Sequence, residues 1–294
     1  MWLLLAFLSA SLLGCYDVCK KHALGQNPVI PVLFLNTLFC SMIFLPLALD
    51  GKAPAGGWEV QRYIVLKSCI VLSSWALGYC GIKRLPITLV GPINATRPVM
   101  VLLGALVIFG ERLNAYQWAG VALAIASFFM LSRSGKREGI DFRHNRWILC
   151  VVGAAILGAV SGLYDKYLMA SAENGGAGLP PLTVQCWYNF YQAAMMGCVL
   201  LLFWWPRRGE QTPFKWKWSI PLISLFLSAA DFVYFYALSM DGALVSVVSM
   251  VRRGSVLVSF LVGAFVFHEK NLRSKAIDLL LVLLGMVFLF VGSR

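Results

Sequence analysis

Ten apolar runs of about twenty residues follow one another along the chain, each bounded by charged residues, proline or glycine. A helix needs about 20 mostly apolar residues to cross the hydrocarbon core of a bilayer. The runs are too long and too uniformly apolar to be the alternating strands of a transmembrane β-barrel. The sequence therefore predicts an all-α integral membrane protein with ten transmembrane helices. These segments, numbered one to ten, cover residues 2–19, 30–49, 62–81, 87–109, 115–132, 147–168, 182–205, 218–240, 243–267 and 273–292.

The composition agrees with a membrane protein and excludes several other classes. Hydrophobic residues make up 60% of the chain and charged residues 13%, against about 45–50% and about 25% in soluble proteins. The net charge of +12 comes from short clusters between the apolar runs, which is typical of membrane loops and not of a nucleic-acid surface. No phosphate-binding glycine loop is present, and the histidines and cysteines lack metal-ligand spacing. We therefore expect the lipid bilayer as a partner, no nucleic acid, no metal and no cofactor.

The two halves of the chain resemble each other. Four residues of segment one recur in segment six at a constant offset of 148: Ala10, Gly14, Tyr16 and Asp17 correspond to Gly158, Gly162, Tyr164 and Asp165. An odd number of helices in each repeat gives the two repeats opposite orientations, as in alternating-access transporters. The sequence thus predicts five-helix repeats at residues 1–132 and 147–294, joined by a loop at 133–146.

Three arginines lie within apolar segments. Arg97 is near the centre of segment four, and Arg252 and Arg253 are near the centre of segment nine. Each costs about 2.5–3.5 kcal/mol at the bilayer midplane on insertion scales. Asp231 in segment eight can neutralise one of them, and such a buried ion pair can simply hold helices together. Because an excess positive charge remains, an anion-binding cavity is the favoured interpretation.

The two adjacent arginines of segment nine have different expected roles. Neighbouring residues project about 100° apart on a helix, so Arg252 and Arg253 cannot both face the same direction. One is expected to face the cavity and the other to pair with an acid, Asp231 first. The planar guanidinium suits a carboxylate or a phosphate, because it donates two parallel hydrogen bonds.

Polar and aromatic residues in corresponding segments are the further candidates for substrate binding. Any one of them can instead bond to a neighbouring helix, because buried polar groups need partners in hydrocarbon. Together they favour a lined cavity. The candidates are Asn36, Trp75, Tyr79, Asn94, Trp187, Tyr188, Asn189 and Tyr234.

Asp17 and Asp165 occupy corresponding positions, each directly after a tyrosine. They can carry coupling protons, as intramembrane acids do in many transporters. They can equally be counter-ions for Lys20, Lys21 and Lys166, and this second interpretation is slightly favoured.

The chain resembles the drug/metabolite transporter superfamily, EamA-type. The matching motifs are LeuGlyAlaLeuValIlePheGlyGluArgLeu with GlnTrpAlaGly after it (103–120), and PheValPheHisGluLys (265–270) before the last apolar segment. The ArgArg pair at 252–253 is similar to the basic pair in the ninth helix of triose-phosphate translocators. Arg97 resembles a basic phosphate-binding position of that branch, where the family has lysine. The resemblance implies two five-helix repeats, alternating access and a substrate site at midplane between them.

These observations predict a secondary transporter, not an enzyme, in a bacterial inner membrane. Its small-molecule substrate is expected to be an organic anion or zwitterion, either a phosphorylated metabolite or a carboxylate. An exporter of aromatic or neutral amino acids is the alternative. A membrane scaffold or intramembrane enzyme is disfavoured, because the sequence shows no soluble domain and no nucleophile–base pair. The protein is expected to be a monomer or a homodimer.

The loop charges predict that both termini face outside. Sixteen lysines and arginines fall in the loops after segments one, three, five, seven and nine, and four fall in the other loops and termini. Cytoplasmic loops carry the excess of basic residues. A cysteine in a C-terminal tag should therefore react with an impermeant reagent in intact cells, whereas a cysteine in the loop at 133–146 should not. Tag labelling that requires permeabilised cells would contradict this orientation.

Overall fold

The computed structural model describes residues 2–54, 56–109, 114–136, 145–169, 176–209, 212–238, 251–252, 254–266 and 272–292. No β-strand occurs in these ranges. Their α-helices are, in chain order, α1 (Trp2–Leu24), α2 (Val29–Leu49), α3 (Trp58–Arg84), α4 (Ile87–Ala95), α5 (Arg97–Phe109), α6 (Ala115–Lys136), α7 (Arg146–Met169), α8 (Pro181–Val199), α9 (Ser219–Leu238), α10 (Ser255–Phe265) and α11 (Leu272–Gly292).

Five helical stretches of the described chain are long and apolar enough to cross a membrane: Val29–Leu49, Trp58–Arg84, Arg146–Asp165, Pro181–Arg207 and Leu272–Gly292. Shorter apolar helices cover Ala115–Leu131, Ser219–Tyr234 and Ser255–Phe265. The regular structure of the described residues is therefore all helical, and the protein is a multi-pass membrane protein, as the apolar runs predict.

Segment four is not one continuous helix, which corrects the prediction for residues 87–109. Helix α4 ends at Ala95, Thr96 forms a turn, and α5 begins at Arg97. Pro98 explains the interruption, because it has no N–H to donate to the carbonyl of Asn94 and its ring clashes with that carbonyl in a regular helix.

Two further segments depart from the prediction. The α-helix of segment seven ends at Val199 and continues as a π-helical turn (Leu200–Trp204) and a 3₁₀ turn (Trp205–Arg207). Pro206 cannot donate to the helical ladder there. Segment nine is described as helix at 251–252 and at α10, and its predicted start at residue 243 lies outside the described residues.

Several basic residues that the orientation count assigns to loops lie on helices instead. Lys20 and Lys21 are in the last turns of α1, and Lys83 is in the last turn of α3. Lys275 is fully buried within α11, where its Nζ donates to Thr88 Oγ1 at 2.9 Å. Lys275 is therefore not a loop residue. The basic residues that remain on the predicted cytoplasmic side still far outnumber those on the other side.

The helices of the two halves interleave. The most extensive helix–helix interfaces of the described chain pair α1 with α9, α6 with α11, α3 with α7, and α2 with α8. Each of them joins a helix before residue 137 to one after residue 145. Side-chain hydrogen bonds link the backbones across these interfaces: Ser9 Oγ donates to the Ala230 carbonyl at 2.7 Å, and Ser74 Oγ to the Ala154 carbonyl at 2.8 Å. Most of the core thus forms between the halves.

Glycines allow the closest of these approaches. A Cβ added to Gly81 of α3 would overlap the Val151 side chain of α7 and lie 3.5 Å from the Trp147 carbonyl. One turn away, a Cβ on Gly78 would lie 3.7 Å from Ala154, an ordinary contact. The interface between α3 and α7 therefore has room for a methyl group at Gly78 and none at Gly81.

We expect Gly81→Val to destabilise the protein by about 1–3 kcal/mol, because overpacking forces the helices apart. Gly78→Ala is the matched control, and it should be neutral or slightly stabilising because alanine favours the helix. Thermal unfolding of the purified variants in detergent measures both effects. Equal unfolding temperatures for the two variants would show that α3 and α7 do not meet as described.

Candidate functional site

Arg97 opens α5 and lies directly against α7. A Cβ added to Gly158 would be 2.8 Å from Cζ of Arg97, so the absent side chain of Gly158 leaves the room that the guanidinium occupies. The Nη2 atom donates to Asn94 Oδ1 at 3.2 Å, and Nε is buried with no acceptor among the described residues. No carboxylate among the described residues forms an ion pair with Arg97.

Asp17 is neutralised within its own helix. The Lys20 Nζ lies 2.6 Å from Asp17 Oδ1, and Ser259 Oγ of α10 lies 3.5 Å from Oδ2. The Lys20 ammonium also lies 4.2 Å from the ring centroid of Tyr16 and 5.4 Å from that of Tyr79. Asp17 is thus placed as a counter-ion of Lys20, one of the two roles expected for it.

Arg252 and Asp231 form an ion pair, with side chains 20% and 16% exposed. The Gln185 Nε2 donates to Asp231 Oδ2 at 3.3 Å. The guanidinium of Arg252 also lies 4.4 Å from the ring centroid of Tyr234. The structure therefore brings together Arg252, Asp231 and Tyr234, with Gln185 as an added member. Arg253 lies outside the described residues.

Asp165 pairs with Lys67 of α3, and sequence reasoning missed this partner. The lysine is buried, and its ammonium lies 5.4 Å from the ring centroid of Tyr188. The side chain of Lys166, the partner expected from the sequence, is not among those described. A lone cation inside an apolar segment was the available signal for Lys67, because burial of such a charge requires a partner.

Tyr188 of α8 lies between two of these ion pairs. Its ring faces Lys67, and the carboxylates of both Asp231 and Asp165 act on it electrostatically. Its backbone carbonyl accepts a 3.4 Å hydrogen bond from Ser68 Oγ of α3. Helix α8 therefore contacts both ion pairs, through Tyr188 beside Lys67 and Gln185 beside Asp231.

The candidate asparagines Asn36 and Asn189 are both buried and hydrogen-bonded. The Oδ1 of Asn36 accepts from Ser224 Oγ of α9 at 3.0 Å, and its Nδ2 is buried without an acceptor in the described part of the chain. The Nδ2 of Asn189 donates to the Gln185 carbonyl in its own helix at 2.8 Å. Asn36 keeps a donor available, whereas Asn189 is used within α8.

Three aromatic candidates pack mainly against backbone or apolar groups, although Tyr79 also faces the Lys20 ammonium at 5.4 Å. Trp187 Nε1 donates to the Ala53 carbonyl at 3.2 Å, in the connection between α2 and α3, and its ring packs edge-on against Phe190. Trp75 and Tyr79 pack in the central apolar core. These residues were candidates because they lie in corresponding apolar segments, and that pattern does not specify where in the bundle each ring lies.

Helix α7 places Arg97 and the Lys67–Asp165 pair on one face. Gly158, which faces Arg97, and Asp165 are seven residues apart, about 10 Å along the helix axis. Residues seven apart lie on the same helix face. Arg97 and the cross-helix ion pair are therefore neighbours along α7.

Two cavities of about 620 and 550 Å³ are found elsewhere. The first is lined by α2, α3 and α8, and the second by α2, α9 and Trp218. Neither has Arg97 or Arg252 in its lining. In the described ranges, no group of three His, Cys, Asp or Glu side chains is arranged to hold a metal ion.

The helices and their buried charges define a multi-pass membrane protein. Residues 1–133 match the EamA-like transporter family, which confirms the resemblance predicted from the sequence. An uncharacterized transporter of Archaeoglobus fulgidus is 32% identical over 107 residues, which cover 35% of this chain and 38% of that protein. The aligned region thus spans little more than a third of that relative's length.

One solved crystal structure has the same fold. It superposes with a TM-score of 0.65 over 99% of this chain and 97% of its own, at 18% sequence identity. At this identity the likeness concerns the fold alone.

We expect Asp231→Asn to lower the stability by about 3–5 kcal/mol, because it leaves Arg252 charged and unpaired in the protein interior. The double variant Asp231→Asn/Arg252→Gln should recover part of the loss, since it removes the stranded charge. Thermal unfolding without added ligand measures both. Additive losses in the double variant would show that the two residues do not stabilise each other.

Proposed function

We propose that this chain is a secondary transporter that moves a small organic anion or zwitterion across the membrane by alternating access. The substrate class is a phosphorylated metabolite or a carboxylate. The observation that carries the proposal is Arg97, a guanidinium enclosed between helices with no carboxylate partner among the described residues. The family match over residues 1–133 and the transporter name of the archaeal relative support transport as the activity.

The charge balance favours an anionic ligand at Arg97. Lys20, Lys67 and Arg252 each have an aspartate partner. An unpaired arginine at midplane costs about 2.5–3.5 kcal/mol on insertion scales. An anion bound there offsets this cost and receives charge-assisted hydrogen bonds from the guanidinium.

The interruption at Thr96 places Arg97 at the first position of α5. The N–H groups of Thr96, Val99 and Met100 bond to backbone carbonyls, so we assign the attraction for an anion to the guanidinium. Interrupted helices with their N-terminal ends at a midplane site bind anionic substrate groups in other transporter folds. The Asn94 amide lies on the preceding turn and already orients Arg97.

In the second repeat, Arg252 and Arg253 are the candidates for binding the anion. Arg252 is held by Asp231, so Arg253 is the residue that we propose faces the substrate. Arg97 and Arg253 would then hold the anion from opposite repeats. Asn36, with its unsatisfied Nδ2, and Tyr188, between the ion pairs, are proposed as further contacts.

We propose that the fold is a pair of inverted five-helix repeats at residues 1–132 and 147–294, joined by 133–146. Helices α4 and α5 together count as one crossing, which gives ten. The equivalent positions of Asp17 and Asp165 in the sequence support the symmetry, whereas their lysine partners differ, one on the same helix and one on α3. Interfaces between the halves are also the largest in the described chain, as expected for repeats that rock against each other.

The setting that we propose is a bacterial inner membrane, with both termini outside and the protein a monomer or a homodimer. Uptake and efflux are both compatible with alternating access. An exporter of aromatic or neutral amino acids would use Arg97 for the carboxylate alone, and the substrate panel below distinguishes it.

We expect Arg97→Gln to insert and fold but to lose transport. Losing one charge-assisted hydrogen bond of about 1.5–3 kcal/mol weakens binding roughly ten- to a hundredfold. Arg97→Lys should retain part of the activity, because the charge survives and the forked geometry does not. Gly158→Ala should also reduce transport, since its Cβ would displace the guanidinium.

Flux into proteoliposomes that contain only this protein measures the effect. The panel is inorganic phosphate, glucose 6-phosphate, citrate and phenylalanine. Arg62→Gln is the matched control, because Arg62 pairs with Glu59 at the exposed start of α3 and should transport normally. The anion proposal is wrong if the glutamine variants of Arg97, Arg252 and Arg253 all transport an active substrate at wild-type rates.

A further inference from the structure

The cavity between α2, α3 and α8 combines an apolar wall with a cationic end. Its volume is about 620 Å³, and its lining includes Leu33, Leu72, Ala76, Met196 and Val199. Lys83 and Arg84, the last two residues of α3, line the same cavity. A ligand that complements this cavity has an apolar body and an anionic end.

The depth of the cavity matches one leaflet of a bilayer. Along α3 it extends from Leu72, near the middle of the helix, to Arg84 at its end. Twelve residues of helix span about 18 Å, and one leaflet contributes about 15 Å of hydrocarbon. Ser73 in the lining of the cavity is exposed although it lies in the middle of α3. The cavity is thus accessible sideways, from the acyl chains of the membrane.

The cationic end retains capacity to bind an anion. Lys83 Nζ donates to the Asn27 carbonyl at 2.7 Å, and an ammonium has three N–H donors, so two remain. The Arg84 guanidinium lies 5.3 Å from the ring centroid of Trp147, a contact that leaves its positive charge uncompensated. In the part of the chain that the structure describes, neither residue forms an ion pair.

We propose that this cavity is a binding site for a single anionic phospholipid. The acyl chains lie along Leu33, Leu72, Ala76 and Met196, and the phosphate is held by Lys83 and Arg84. Basic pockets between transmembrane helices bind anionic headgroups by this combination of charge and apolar contact. The site is separate from Arg97 and does not depend on the proposed transport. Occupied, it joins α2, α3 and α8 through the lipid.

The test uses the purified full chain in nanodiscs of phosphatidylcholine, with or without phosphatidylglycerol. Phosphatidylglycerol should raise the unfolding temperature of the wild type, and native mass spectrometry should show one retained molecule. The double variant Lys83→Gln/Arg84→Gln should lose most of the shift. Each basic residue near the surface strengthens binding by roughly fivefold, so affinity should fall about twenty- to thirtyfold.

Matched controls separate this site from general surface attraction. Lys217 and Arg273 are basic residues at the same end of the helices and outside the cavity lining. Lys217→Gln/Arg273→Gln should keep the wild-type shift. Ala76→Phe, which fills the apolar part and keeps both cations, should also lower lipid retention. Inorganic phosphate alone should not reproduce the stabilisation, because it lacks acyl chains.

Two results would overturn the proposal. One is an unchanged phosphatidylglycerol shift in both Lys83→Gln/Arg84→Gln and Ala76→Phe. The other is a full shift of the wild type with inorganic phosphate in phosphatidylcholine, which would identify an ion site without a lipid. Folding of each variant is checked by its unfolding temperature in phosphatidylcholine alone, so a loss of the shift is distinguished from misfolding.

Discussion

Charge burial in hydrocarbon is the constraint on which this structure depends. A lysine, arginine or aspartate inside a bilayer needs a partner, because the surrounding acyl chains solvate no charge. The structure meets this need in two ways. Lys20 and Asp17 pair within one helix, whereas Lys67 with Asp165 and Arg252 with Asp231 pair between separate segments. The pairs between segments join helices that are distant in the sequence. Arg97 forms no ion pair in the described part of the chain, and it is there that we propose an anion binds.

The interleaving of the halves extends this constraint to the whole fold. Apolar surfaces of α1, α2, α3 and α6 are covered by helices of the second half. Packing in membranes depends on close contact of small residues, since lipid chains are as apolar as leucine. Gly14, Gly81 and Gly158 provide such contacts against Val258, Val151 and Arg97, respectively. Gly14 and Gly81 therefore allow close packing of helices, and Gly158 leaves room for the Arg97 guanidinium.

The sequence predicts much of the fold and only part of the site. Apolar runs locate the segments because length and hydropathy are local properties. The structure pairs Arg252 with Asp231, the partner that the sequence favours, since one acid lies at a suitable depth nearby in the chain. The sequence could not assign Asp165 as the partner of Lys67, because helical periodicity shows which face of a helix is buried and not which other helix it contacts. The interruption before Pro98 also escaped prediction, since prolines are often tolerated in transmembrane helices.

The wide separation of packing partners has a consequence for biosynthesis. Ser9 bonds to the Ala230 carbonyl, 221 residues later in the chain. At about 5–20 residues per second, α1 resides in the membrane for roughly 10–45 s before that carbonyl is translated. Lys20 and Asp17 pair within the helix, so the charge of Asp17 is already balanced during this delay. Lys67 has no such arrangement and must wait for Asp165, 98 residues later. Lys67 therefore enters the membrane before the acid that pairs with it in the folded protein has been synthesised.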